Sequence, residues 1–262
     1  RFRATFGAAW EIHPATRVLV YAMQEELGYL QPDRVWKGMQ KVLVLPEAHL
    51  FFETLFELGV LGAIFPSLYT LTTLKEGNRY HREPSLFTHV MMVLKELKEE
   101  SMLLKLTALY HDIAKPYCYR IHGDGREHTE PKLIEPRIDL QLPSKLKSSL
   151  LFLSEMHTKV AELPTMRTEQ VAEFFECFNK NAAMMQALLR FTEANNNGRI
   201  ADAPGPKIVY DAIWKTFEAI SSYSPRQWIE SQKEPPEGKN IAAHIHQHNI
   251  EVIKHTLLKE LD

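Results

Sequence analysis

The fold is decided by residues 102–116, whose sequence is MLLKLTALYHDIAKP. An apolar run with a helical period ends there in His111 and Asp112, and Lys115 follows three positions after the aspartate. A second apolar segment of helical period, upstream, carries His89. An unpaired polar side chain inside such a segment costs about 1–3 kcal/mol. The pattern therefore predicts that these side chains meet in a buried polar site.

A histidine and an aspartate that are neighbours on a helix suit a bound cation. Adjacent helical residues point about 100° apart, so His111 and Asp112 can both reach an ion at the helix edge. A histidine from another helix completes a mixed nitrogen and oxygen shell, which suits Mg²⁺ or a divalent transition metal. Lys115, one turn after His111, would face a bound phosphate. The alternative is a plain helix end with a capped aspartate and a solvated histidine.

Helical periodicity continues along nearly the whole chain, with no repeat and no alternating strand pattern. Val18, Leu19, Ala22, Met23 and Leu27 fall on the first apolar stripe, and Glu25-Glu26 lie off it. A second helix opens at Pro32-Asp33, with Val35, Trp36, Met39, Val42 and Leu43 inward, and ends at Leu45-Pro46; a third continues to Gly59. Pro84 begins a helix with Leu86, Val90, Val93, Leu94 and Leu97 on one face, and Ser101 caps the next. Later helices are predicted near 144–157, 168–178, 181–195, 207–221 and 240–260. The predicted fold class is all-α.

Turn-forming residues divide the chain. A polar stretch from Lys75 to Glu83, with a turn at Gly77, Asn78 and Arg79, marks the first boundary, and residues 203–206 mark the second. A turn at 122–125 is interpreted as the tip of a small hairpin.

Composition narrows the class of protein. The net charge is −2, so any grip on nucleic acid must come from local basic patches. Cys118 and Cys177 lie far apart, which argues against a disulfide framework or a thiolate zinc site and favours a reducing cytoplasm. No apolar run approaches the roughly 20 residues that span a bilayer, so no membrane partner is expected. The start at Arg1, without an apolar leader, looks like a cut end.

The spacing of His89, His111-Asp112 and Lys115 resembles the HD superfamily of metal-dependent phosphohydrolases. Segments on both sides of these residues make the resemblance to a family more specific. They are Arg1-Phe2 with Ile12 and Thr16, residues 31–37 (QPDRVWK), 59–66 (GVLGAIFP), 155–157 (EMH) and 192–199 (TEANNNGR). In their common order, these segments resemble the C-terminal part of bacterial CCA-adding tRNA nucleotidyltransferases with an HD domain, in the tRNA nucleotidyltransferase/poly(A) polymerase family.

The resemblance implies three segments and a set of site residues. Residues 1–74 would be a neck- and body-like RNA-binding module that holds the tRNA acceptor arm, 75–203 an HD domain, and 204–262 a C-terminal helical tail. His89, His111 and Asp112 would bind a divalent metal (Mg²⁺, Mn²⁺ or Ni²⁺), and Lys115 with Asp112 would be catalytic. His157, His128 and Asn195 would contact the metal or a phosphate. The implied partners are tRNA, a nucleotidyltransferase head on the same or another chain, and a second copy in a homodimer; RNA-contacting residues are not assigned.

Departures from the family pattern leave alternatives open. The head, with its acidic metal pair, would precede Arg1 and has no counterpart in these residues. Gly38 stands where a bracing carboxylate is usual, and Asn195 stands at the last aspartate of the HD pattern. The chain is then either part of the tRNA enzyme, a stand-alone HD phosphohydrolase, or a catalytically silent RNA-binding or assembly subunit. CCA and poly(A) addition both stay open as the parent chemistry.

Two further patterns are assigned structural roles. His244, His246 and His248 are expected on a solvated helix surface, because only the first and last share a face and no carboxylate joins them. The two phenylalanine clusters, 51–56 and 174–178, are expected in the core rather than as platforms for bases.

Overall fold

In a computed structural model, the described residues are 1–75, 80–122, 128–202 and 207–261, and they contain helices and no strand. This confirms the all-α fold class. None of these helices combines the length and the apolar character that crossing a bilayer requires. The predicted turn at Gly77–Arg79, residues 123–125 of the predicted hairpin tip and the boundary at 203–206 lie outside the described residues.

The chain forms two compact units, and the first comprises residues 1–157 and 190–205. Its helices are α1 (Phe2–Phe6), α2 (Pro14–Ala22), α3 (Gln24–Leu27), α4 (Pro32–Leu43), α5 (His49–Glu57), α6 (Leu61–Ile64), α7 (Pro66–Thr70), α8 (Leu86–Glu96), α9 (Met102–Tyr110), α10 (Lys115–His122), α11 (Pro131–Ile134), a 3-10 helix (Glu135–Arg137) and most of α12 (Ser144–Glu162). In this unit α8 packs against α5 and α9, and α4 packs against α9.

The second unit comprises residues 158–189 and 206–262. It contains a 3-10 helix (Leu163–Thr165), α13 (Thr168–Glu176), the first part of α14 (Ala182–Asn197), α15 (Tyr210–Ser222), α16 (Arg226–Ser231), α17 (Gly238–His255) and α18 (Leu257–Leu261). Here α17 packs against α13 and α15. The three segments 1–74, 75–203 and 204–262 stay a prediction.

Serine caps fix the starts of the two helices that carry the site. The Ser85 hydroxyl accepts from the Thr88 amide at 3.3 Å at the start of α8, and the Ser101 hydroxyl accepts from the Leu104 amide at 3.4 Å at the start of α9. The predicted cap at Ser101 is confirmed, whereas α8 begins two residues after Pro84. The predicted inward face of α8 is buried: Leu86, Val90, Val93, Leu94 and Leu97.

Lys105 joins three helices from inside the first unit. Its side chain is buried, and its ammonium group donates to the Leu45 carbonyl at 2.9 Å and to the Lys98 carbonyl at 2.7 Å. These carbonyls follow the ends of α4 and α8, where backbone acceptors lack intrahelical partners. The cation therefore holds α9 against both helix ends.

The apolar stripe of the first helical segment is not buried. No residue of α2 is buried, and Val18 and Leu19 are 71% and 58% exposed. The helical period itself is present, and α2 packs against α3. Periodicity identifies the residues that share a face, but it does not show that another element covers that face.

Candidate functional site

Three buried histidines of the first unit present the same ring atom to a shared centre. His89 lies on α8, His111 just after α9, and His157 on α12. Their Nδ1 atoms lie near backbone carbonyl oxygens: Gly198 at 2.9 Å, Ala108 at 2.9 Å and Ser154 at 2.6 Å, respectively. A carbonyl only accepts, so each Nδ1 carries the hydrogen and a neutral ring keeps its Nε2 lone pair. This is how metal-ligating histidines are oriented in proteins.

Asp112 is the charged group at this centre, and its side chain is buried. Its Oδ2 lies 3.3 Å from His111 Nε2 and 3.0 Å from Lys115 Nζ, and its Oδ1 lies 3.0 Å from His128 Nε2. Burial raises the pKa of Asp112, but the nearby His111 and Lys115, together with the close His128 ring, outweigh burial and hold it well below its usual range. The Asp112 side chain is therefore anionic at neutral pH.

The donor set fits a divalent cation. His111 Nε2 and Asp112 Oδ1 are buried and make no well-aligned hydrogen bond among the described residues. Potential ligand atoms lie within 4.8 Å of one another in two triads that share Asp112, one with His89 and His111 and the other with His128 and His157. Two imidazole nitrogens with a carboxylate oxygen suit Mn²⁺, Ni²⁺ or a similar metal. A cation here would satisfy the unpaired atoms that otherwise cost free energy.

Burial keeps the outer histidines neutral and available as ligands. Burial lowers the pKa of His89, assisted by the charges of His111 and Lys115, although Glu83 and Asp112 oppose the shift. Burial also lowers the pKa of His157, well below its ordinary value. Phe191 packs edge-on against the site, with ring centroids 5.3 Å from His111 and 5.8 Å from His157. Its ring supplies the apolar wall.

Asn195 gives His89 a neutral partner. The Asn195 Oδ1 atom lies 3.0 Å from His89 Nε2, whose lone pair calls for a donor rather than a carbonyl oxygen. Oxygen and nitrogen of an amide exchange places by a 180° rotation, and the rotated amide donates Nδ2–H to His89. The amide thus satisfies the lone pair of His89 Nε2, which is the atom that a cation would otherwise bind.

Glu83 and His81 belong to the surroundings of the site and were missed by the sequence analysis, which assigned residues 75–83 to a polar boundary. Glu83 is buried, accepts from the Ile200 amide at 2.9 Å and lies 3.6 Å from the Nδ1 atoms of both His81 and His89. Burial raises its pKa, but the two nearby histidines and the backbone amides outweigh that effect and lower it strongly. The available signal was a carboxylate one residue before the predicted start of a histidine-bearing helix.

The structure also places the three histidines of α17 and the two phenylalanine clusters. In the second unit, His244 accepts from or donates to Tyr223 Oη at 2.7 Å and stacks on Trp228, His248 stacks on Tyr223, and His246 pairs with Glu176 at 2.9 Å. They are partly exposed and held by neighbours rather than freely solvated.

Of the phenylalanines, Phe52, Phe174, Phe175 and Phe178 are buried, whereas Phe51 is partly exposed and Phe56 is 46% exposed. The core assignment is therefore wrong for Phe51 and Phe56.

Residues 10–71 match a protein family described as the probable RNA and SrmB-binding site of polymerase A. The match relates the chain to the poly(A) polymerase and tRNA nucleotidyltransferase family. It spans α2 to α7 and ends before His89, the first histidine of the triads. The match therefore covers the first part of the chain and none of the histidine triads.

Proposed function

We propose that this chain is the RNA-holding part of a tRNA 3′-end CCA-adding nucleotidyltransferase, and that its first helices grip the tRNA acceptor arm. The family match over residues 10–71 carries this proposal. Nucleotidyl transfer itself would require a head on the same or another chain, because these residues contain no acidic metal pair of that kind.

Local charge supports a grip on RNA by the first helices. Residues 1–41 carry Arg1, Arg3, Arg17, Arg34, Lys37 and Lys41 against Glu11, Glu25, Glu26 and Asp33, although the whole chain has a net charge of −2. Double-stranded RNA is bound mainly through its shape and through phosphate and 2′-hydroxyl contacts. A modest local excess of cations favours weak binding that is largely independent of sequence.

The buried histidine centre supports a second, subordinate role as an HD-type phosphohydrolase site. His89, His111 and Asp112 would hold one divalent cation, and Asp112, His128 and His157 would hold another. A bound metal of this class polarises a phosphoryl oxygen and lowers the pKa of its water. Lys115 would stabilise negative charge on the phosphate, and the apolar wall would limit solvent. Two complete triads favour this role, whereas the amide of Asn195 weakens the first one.

A binding titration with an acceptor-arm RNA duplex tests the RNA-holding role. We expect binding whose logarithmic affinity falls linearly with the logarithm of salt concentration, by about 0.7–0.9 per phosphate contact. Duplexes of unrelated sequence should bind with similar affinity, because phosphate contacts carry no sequence information. A chain that binds no RNA even at low salt would contradict the proposal and favour the stand-alone phosphohydrolase.

A further inference from the structure

The first unit contains a cavity of about 390 Å³ beside α4. Its apolar surface includes Met39, Val42, Phe51, Ile64 and Phe65, and its charged lining residues include Arg34 and Lys41. Small-molecule pockets have volumes of about 300–1,000 Å³ with apolar walls and few charged groups. The cavity therefore has the size and lining of a ligand site.

Gly38 keeps this cavity open. It lies inside α4 and lines the cavity, and a Cβ added there would meet no atom within 4 Å. Its φ is not in the left-handed region, so neither backbone conformation nor close packing requires glycine. Glycine inside a helix costs roughly 1 kcal/mol relative to alanine. The remaining explanation for a glycine at position 38 is the open space beside it.

Two charged residues of α4 line the cavity. Arg34, Gly38 and Lys41 are spaced by four and three positions, so they share one face of the helix. Arg34 and Lys41 are exposed and form no ion pair among the described residues, whereas Lys37, between them in sequence, pairs with Asp33 at 2.8 Å. Two cations that line an apolar cavity suit an anion with an apolar body.

We propose that this cavity receives one unpaired nucleotide of the bound RNA. The base would lie on the apolar surface near Met39 and Phe51, and Arg34 and Lys41 would contact the adjoining phosphates. This proposal rests on the proposed RNA-holding function and adds to it a site that would hold an unpaired nucleotide. No uncharged polar side chain lines the cavity, so it would accept any base by stacking.

The test uses an RNA duplex with a one-nucleotide overhang of the fluorescent base 2-aminopurine, together with the blunt duplex. We expect Gly38→Leu to fill the cavity, weaken binding of the overhang duplex about tenfold, as for one lost stacked base, and abolish the change in fluorescence. Gly38→Ala should retain most of the binding. Gly238→Leu is the matched control, because Gly238 lies in a helix of the second unit and also has no atom within 4 Å of an added Cβ.

A second pair of variants keeps the test independent of how Gly38→Leu folds. Arg34→Gln with Lys41→Gln should weaken binding of the overhang duplex more than binding of the blunt duplex, and the exposed Lys145→Gln should change neither. Equal affinity of the parent chain for both duplexes would overturn the cavity proposal and leave the RNA-holding role intact. Unchanged affinity in all cavity variants would point instead to an apolar side chain of a partner protein. Absence of RNA binding would overturn both proposals.

Discussion

Asn195 and His89 meet through an uncharged contact, at the position that the resemblance assigns to a carboxylate of the HD pattern. The His89 ring is already held through Nδ1 by the Gly198 carbonyl, so only its Nε2 atom is available to a cation. An amide satisfies that atom without adding negative charge. Asp112 is therefore the one carboxylate of this triad.

Restoring the carboxylate should increase metal binding. We expect Asn195→Asp to bind Mn²⁺ or Ni²⁺ roughly tenfold or more tightly than the parent chain, since ligand and outer-shell changes alter affinity by about 10–100-fold. Titration calorimetry and metal analysis would measure this change, and phosphoester hydrolysis should rise with it. Asn197→Asp, which adds the same charge at an exposed position, is the control, and Asp112→Ala should abolish binding. Tight binding in the parent chain that Asn195→Asp leaves unchanged would show that the last ligand lies elsewhere.

The neutral histidines make stability depend on pH. Burial lowers the folded-state pKa values of His89 and His157, so near pH 6 the unfolded chain binds more protons than the folded chain. Without metal, stability should therefore fall as the pH decreases from 6.5 to 5.5, by up to about 1.4 kcal/mol per pH unit for each such proton. Thermal unfolding in the presence of a chelator would measure the slope. His157→Gln should flatten it, whereas the exposed His13→Gln should not; parallel profiles for parent and His157→Gln would contradict this.

At the scale of elements, the end of α14 approaches α8 so closely that only glycine fits. A Cβ at Gly198 would lie 2.7 Å from the Val93 backbone nitrogen and 2.8 Å from its Cα. The same residue supplies the carbonyl that orients His89. The glycine of the TEANNNGR motif, used in the sequence analysis only as a resemblance, thus has a packing reason.

Gly198→Ala should separate these two elements. We expect a loss of about 1–3 kcal/mol in the free energy of unfolding, the usual cost of overpacking, and weaker metal binding because His89 loses its carbonyl partner. Urea denaturation and metal titration would measure both. Gly238→Ala, which has open space around its Cβ, should be stable. Wild-type stability of Gly198→Ala would show that α8 and α14 tolerate a wider spacing.

At the scale of the whole molecule, the sequence predicted the helices and the central residues better than their surroundings. His89, His111 and Asp112 could be found because polar residues interrupt apolar helical segments, and the structure brings them together. Glu83 and Phe191 could not be found in this way, because a carboxylate in a polar stretch and a phenylalanine in a helix look ordinary in sequence. The exposure of the α2 stripe could not be predicted either, because periodicity carries no information on what covers a face.

The close pair formed by Asp112 and Lys115 would couple the binding of a cation to that of a phosphate. In the protein alone, the ammonium group balances the carboxylate, so a dication held by the triads would leave excess positive charge in a buried space. A phosphate group would offset that charge. By thermodynamic linkage, the cation and the phosphate would then raise each other's affinity by the same factor. Under the proposed function, the resting centre would hold neither ligand firmly, and a phosphorylated RNA end would recruit its own metal.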